Sequence, residues 1–371
     1  MPPRTQPERA LMRSRLDAQL LATASAFSTE GVLERLLAVQ AQDPRGARLA
    51  IRARSNLTDA ADVDDAMTTR RSALVTWLNR GTLHLVRTED YWWLHPLTTP
   101  QLWRANERRL HQEGLEPSDV DRGIDIVCEA VSTRGPQTRA ELKRLLDAAG
   151  TRTERQALVH LLCAASLRGR IVRGPLRAGQ WAFVDVASWL GPAPPPLEPA
   201  EGLARLARRY LAGHGPAGAG DMAKWAGVTL GQARSGLASI ADHVAVRHDG
   251  LVDLAGRGAH VRLPDPVLLG PFDPVLHGWA DRGPLIGSHQ GVVTNNGIFR
   301  ATALVEGRVV GIWGLADGQI RLNLLERVGA ASRHALERDG QAVLTYLGVN
   351  GPRRRGSSRE RVGGIGVGTD S

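Results

Sequence analysis

The chain is poor in lysine. Of its 371 residues only Lys143 and Lys224 carry a side-chain amine, and the other 45 of the 47 basic side chains are arginine. Schiff-base chemistry needs a primary amine, so little of the chain can support it. A GC-rich coding bias accounts for the arginine excess, and the chemical consequence stands whatever its origin. Cysteine is equally scarce. Cys128 and Cys163 both fall in helix-like runs, which argues against a disulfide framework. With no paired histidines nearby they offer no zinc set, so neither metal nor cofactor is expected. No apolar run reaches the ~18–20 residues of a membrane span. The opening "MPPRTQPERALMRSRL" lacks the apolar stretch and cleavage site of a signal peptide. These absences point to a cytoplasmic protein with no membrane partner, expected as a monomer.

What is present is ordinary in bulk and unusual in charge. At 42% hydrophobic and 23% charged residues the chain reads as globular, long enough for two or three domains. A net charge of +9 and a pI near 10.7 favour a polyanionic partner, nucleic acid first.

Three segments share one rhythm of helices followed by a short basic hairpin. The clearest lies within 131–190. Thr138 can cap "RAELKRLLDAAG", with Glu141 at the capping-box position and Gly150 as terminator. "ERQALVHLLCAASLRG" then has apolar residues at helical spacing, its "HLLC" reading as a core face. "RIVRGPLRAGQWAFV" follows as two strands, carrying Arg173 and Arg177. Helix, helix, two-stranded wing is the winged helix-turn-helix. The proline-rich "GPAPPPLEPAEG", 191–202, is a semi-rigid linker. A second unit spans 203–262, with Asp249-Gly250 turning its hairpin. A looser N-terminal unit, 8–130, has helices near 8–22, 30–40, 44–54 and 61–69, then a hairpin around Asn79-Arg80-Gly81. Trp92, Trp93 and Trp103 follow at helical spacing, which favours core packing over stacking on bases. The segment 263–350 turns to period two. It predicts three antiparallel strands from 298 with turns at Glu306-Gly307 and Asp317-Gly318, then a helix, 327–339, and a strand, "AVLTYLG". The Gly/Ser/Arg-rich tail, 351–371, predicts disorder. A transcription regulator usually carries one such reader and a dimer interface. Three readers in one chain favour a cradle around DNA, with a non-catalytic regulator as the alternative.

The stretch "LLAVQAQDPRG", 36–46, holds two glutamines two residues apart. On a helix they would diverge; on an extended segment they share a face, roughly 7 Å apart. The proline pushes Asp43 out of the helical region, so Asp43 can cap a new helix with Pro44 at its first position. Arg45, Arg48 and Arg52 then fall on one face beside a helix start, an arrangement that suits phosphate. By pattern alone, two solvated glutamines at a helix junction explain the motif better than a site does, because short motifs arise often by chance.

"AVQAQDPRGARLAIRAR", "WLNRGTLHLVRTEDYWWL", "LLGPFDPVLHG" and "FRATALVEGRVVGIWGL" resemble, in order, the AlkZ/YcaQ-type DNA glycosylases. The resemblance runs through most of 8–345. It implies an α+β, mainly helical fold of three tandem winged-helix units plus a C-terminal antiparallel β element, forming a C-shaped DNA cradle. In that family a glutamine–apolar–glutamine motif is catalytic, with aspartate in the last place in one branch; Gln40, Ala41 and Gln42 match the glutamine branch. That branch removes bulky N7-alkylated guanines and unhooks interstrand crosslinks, in repair or self-resistance. The partner implied is double-stranded DNA carrying alkylated purines.

An N7-alkylpurine is already cationic and leaves as a neutral base, so amides that position one water are sufficient. Asp43 is the rival, since a carboxylate more usually faces an oxocarbenium centre. Both lysines are expected away from the motif, which implies a monofunctional enzyme; the exception would be an amine at Pro2. His84 is either structural or a DNA contact near the site. Asp273 in "PFDP" is either a turn former or an active-site carboxylate. Arg300 and Arg308 flank a hairpin turn that the resemblance brings to the minor groove. Bulky lesions resist flipping into a tight pocket, so an open groove is expected.

Overall fold

The computed structural model describes residues 5–23, 25–258 and 263–349. The basic tail and Pro2 lie outside them. The fold is α+β. Helices α1 (Gln6–Ala18), α2 (Thr29–Leu36), α3 (Pro44–Arg52) and α4 (Ala61–Thr68) precede and surround strands β1 (Val39–Gln40), β2 (Ala73–Leu78) and β3 (Thr82–Arg87). Then come α5 (Thr88–Thr98), α6 (Pro100–Gln112), α7 (Pro117–Thr133), α8 (Arg139–Ala148), α9 (Ala157–Leu167), β4 (Ile171–Arg177), β5 (Gln180–Asp185) and α10 (Val186–Leu190). After an extended run, α11 (Pro199–His214), α12 (Ala219–Ala226) and α13 (Leu230–Ala238) lead into β6 (Val244–Val246) and β7 (Val252–Leu254). The last part holds β8 (Val267–Leu269), α14 (Gly283–Ile286), β9 (Thr302–Val305), β10 (Arg308–Ala316), β11 (Gln319–Leu324) and α15 (Ala330–Tyr346).

The hairpins of the first two units share a sheet. Its order is β1-β3-β2-β4-β5, joined where Val75 pairs with Arg173. One apolar core accordingly runs from α2 through this sheet to α7, α8 and α9. A second core binds α1, α5 and α11–α13 to the segment around 275–310. The C-terminal strands form a separate antiparallel sheet, β11-β10-β9-β8. Its turns lie where expected: Glu306, Gly307, Asp317 and Gly318 all have positive φ, as two-residue hairpins of right-handed twist require. Trp93 is buried, as its spacing predicts, whereas Trp103 is 47% exposed. Leu161, Leu162 and Cys163 are core residues.

One expected element is wrong. "AVLTYLG" is not a strand; α15 continues through it to Tyr346. Leu336, Gly340, Val343 and Leu344 are buried at helical spacing, with Gly340 facing Ile320 and Leu268. Burying that face outweighs the β-propensity of Val, Thr and Tyr.

Two glycines set the approach of remote segments. A Cβ on Gly46 would stand 2.3 Å from the Pro271 carbonyl oxygen, so only glycine lets the start of α3 lie against residues 270–271. At Gly227, φ is +72° and a Cβ would meet the Asn79 carbonyl at 2.5 Å. The end of α12 thereby abuts the β2–β3 turn.

Candidate active site

The α2 helix ends four residues before Gln40. Leu37 takes a left-handed φ of 66° while its N–H still bonds the Leu33 carbonyl, and the chain then runs extended. β1 pairs with β3, placing Gln40 opposite His84, and the Ala41 N–H donates to the Leu83 carbonyl at 2.8 Å. Ala41 points into the core. Gln40 and Gln42 instead meet: the Gln40 amide donates to Gln42 Oε1 at 2.7 Å. Gln40 is buried and Gln42 exposed, and Gln40 Oε1 has no protein partner. That oxygen is closed to solvent, and an unpaired buried acceptor costs about 1–3 kcal/mol. Asp43 caps α3, accepting the Gly46 N–H at 2.8 Å.

Both glutamines line a cavity of about 350 Å³ together with Arg80, Lys224, His277 and Arg282. A cavity of about 630 Å³, mostly apolar, lies between α6, α7 and α9 and holds none of these groups. The amides and cations gather in the smaller one. His84, at the adjoining strand position, donates from Nδ1 to the Thr82 carbonyl at 2.9 Å. Burial first, and Arg80 second, push its pKa down to about 3. His277 is likewise held neutral by burial and by Arg80; its Nδ1 accepts from Arg80 at 3.4 Å. Neither imidazole carries a proton to donate as an acid near pH 7.

Other residues singled out by sequence are placed as follows. Asp273 is fully buried, with both carboxylate oxygens on Arg54 at 2.7 and 2.9 Å and the Val275 N–H on Oδ1. It is a turn former and a core ion pair at once. Arg48 is tied to Asp64 and Arg52 to Asp339. Arg173 lies over the rings of Trp77 and Phe183, at 5.3 and 4.9 Å. Arg177 bonds Glu141 at 3.0 Å, and Arg308 lies 3.6 Å from Glu326. Arg45 and Arg300 are exposed in a neighbouring cavity that begins at Asp43.

Lys224 corrects an expectation. Its position on a later helix predicts a place away from the motif, yet the contact at Gly227 swings the end of α12 to the β2–β3 turn and puts Lys224 in the glutamine cavity. Arg80, His277 and Arg282 also escaped sequence reading. Arg80 was visible only as a turn residue, and nothing local joined it to a segment some 200 positions away.

The family model described as DNA glycosylase AlkZ-like matches residues 33–346, most of the chain and all of this site. The chain belongs to that family. A protein described as an interstrand DNA cross-link repair glycosylase, of Streptomyces sahachiroi, is 25% identical over 368 residues, spanning 91% of this chain and 95% of that protein. The solved structure of the S. sahachiroi DNA glycosylase AlkZ superposes with a TM-score of 0.74 at 25% identity, covering 93% of this chain and 97% of that one. AlkZ-like membership favours an enzyme acting on DNA over a non-catalytic regulator. No helix among the described residues is long and apolar enough to cross a membrane.

Proposed function

We propose that this enzyme hydrolyses the N-glycosidic bond of cationic N7-alkylated purines in double-stranded DNA, with Gln40 and Gln42 positioning the water. The observation that carries this reading is the amide pair itself. A buried amide with an unpaired oxygen leans on an exposed one in a cavity that no carboxylate lines among the described residues. Such a site has no strong acid to protonate a leaving base and no strong base to activate water. It suits a substrate that supplies its own positive charge. The C1′–N9 bond breaks with its electron pair passing to the base, which departs neutral. Water held by the amide oxygens adds to C1′ and then loses its proton to solvent.

The cross-link repair named for the S. sahachiroi relative extends the proposal to unhooking of interstrand crosslinks through the same bond. The three helix-and-hairpin units act as tandem winged helices forming a C-shaped cradle around the duplex, with the lesion left near the groove surface. Arg45, Arg177, Arg300 and Arg308 meet backbone phosphates, so binding weakens steeply with salt. Lys224 notwithstanding, the enzyme is monofunctional: the water held by the amides, not an amine, attacks C1′. Borohydride should therefore trap no covalent adduct on damaged DNA. The deciding experiment compares release of 7-methylguanine with release of uracil and undamaged guanine. Release of 7-methylguanine alone, lost in the Gln40→Ala/Gln42→Ala double variant with DNA binding retained, is expected. Equal release of uncharged bases would overturn the mechanism, and binding without any release would restore the regulator.

A further inference from the structure

The chain pairs most of its inward arginines with carboxylates: Arg48 with Asp64, Arg52 with Asp339, Arg54 with Asp273, Arg209 with Asp90. The glutamine cavity breaks this habit. Arg80 gives Nη1 to the carbonyls of Lys224 and Trp225 at 3.3 and 3.2 Å, and Nη2 to His277. Arg282 gives Nε to the Leu276 carbonyl at 2.8 Å and lies 5.1 Å over the Phe299 ring. Lys224 gives Nζ to the Ala280 carbonyl. All three are held in place by neutral acceptors, and none forms an ion pair among the described residues. Burial first, and the charge of Arg282 second, push the pKa of Arg80 down. Three cations converge on one cavity that no carboxylate lines among the described residues.

Such a cavity repels a cationic base and attracts an anion. We propose that Arg80, Lys224 and Arg282 form a phosphodiester clamp: the cavity beside Gln40 and Gln42 takes a backbone phosphate of the damaged strand adjoining the scissile nucleotide, while the damaged base stays outside. The clamp thus sets which sugar faces the amide pair. Arginine forks and an ammonium suit phosphate oxygens, and carbonyl anchors leave their other N–H groups free to donate. This inference rests on the glycosylase reading, and it makes the three side chains positioning residues.

The test uses the full chain and duplexes bearing a stable tetrahydrofuran abasic analogue, so binding is read without catalysis. A parallel set carries 7-methylguanine. Single phosphates within two nucleotides of the lesion are replaced, one at a time, by neutral methylphosphonate. Wild type should lose about tenfold in affinity, the worth of one charge-assisted contact, at one linkage. Arg282→Gln and Lys224→Gln should each lose a similar factor on all-phosphate DNA and little more on that one neutral duplex. Lys224→Arg should restore binding. Thermal melting of each variant checks that it folds. A merely structural role would leave the losses multiplicative at every linkage, and that result overturns the clamp. If non-additivity appears but no 7-methylguanine is released, the clamp stands and the glycosylase reading falls.

Discussion

Arg54 and Arg80 are both arginines held well inside the protein, and their surroundings are opposite. Arg54 is wholly buried, yet two oxygens of Asp273, the Gln19 amide oxygen and the Ala50 carbonyl accept from it. Arg80 has only carbonyls and a neutral imidazole, beside a second arginine. The first arrangement gives the charge a bidentate counter-ion, although its Nε has no partner, and fixes the 271–276 turn against the end of α3. The second leaves charge without a carboxylate partner at the cavity that Gln40 and Gln42 line. Stability is built where partners are complete, and a ligand is expected where they are withheld.

The comparison can be broken in several ways. The largest expected effect comes from acid. His84, His95 and His214 are buried with pKa values pushed down to about 3, 4 and 3 by desolvation. Between those values and the unfolded value near 6.5, the unfolded chain binds protons that the fold refuses. Stability is therefore fully present above pH 6.5 and falls by about 1.4 kcal/mol per pH unit per histidine as pH drops toward 4. Denaturation midpoints across that range measure it, while base release should stay flat from about pH 6.5 to 8.5, because the amides that hold the water do not titrate. Next, Asp273→Ala should cost about 3–5 kcal/mol by chemical denaturation, stranding Arg54 without its counter-ion. Residual folded protein should keep its lesion preference.

Smaller effects concern the cavity. Gln42→Ala should slow single-turnover release of 7-methylguanine about 100-fold, or ~2.7 kcal/mol in activation free energy, with little change in melting temperature. Asp43→Asn keeps a capping side chain and should lose less than about threefold; a collapse matching that of Gln42→Ala would hand the water to the carboxylate. Smallest, Arg282→Gln should leave stability unchanged or raise it by up to about 1 kcal/mol, since it removes an uncompensated charge. A loss as deep as that of Asp273→Ala would erase the distinction drawn between the two arginines.

Much of the local structure was legible. The capping box at Thr138 and Glu141, the cap at Asp43 and the two glycine turns of the C-terminal sheet all depend on residues within four positions of one another. The glutamine pair was legible as a shared face, although α2 stops at Leu36, earlier than the expected end near 40. What failed had remote causes. Arg48 and Arg52 read as a free basic face, but their partners Asp64 and Asp339 lie 16 and 287 positions away. "AVLTYLG" has strand-like composition and became helical because the sheet beside it offered a groove for one helical face.

By itself the sequence determined the basic, lysine-poor character of the protein, its helix-and-hairpin units, and a motif of two amides that its family context makes meaningful. Those follow from composition, short-range spacing and side-chain chemistry. Only the tertiary structure decided which charges are neutralised and which are not. Charge pairing depends on distances of a few ångströms between residues hundreds of positions apart. Gly46 and Gly227, by admitting backbone where a Cβ would clash, close those distances: they seat α3 on the Asp273 turn and bring Lys224 and Arg80 to the glutamines.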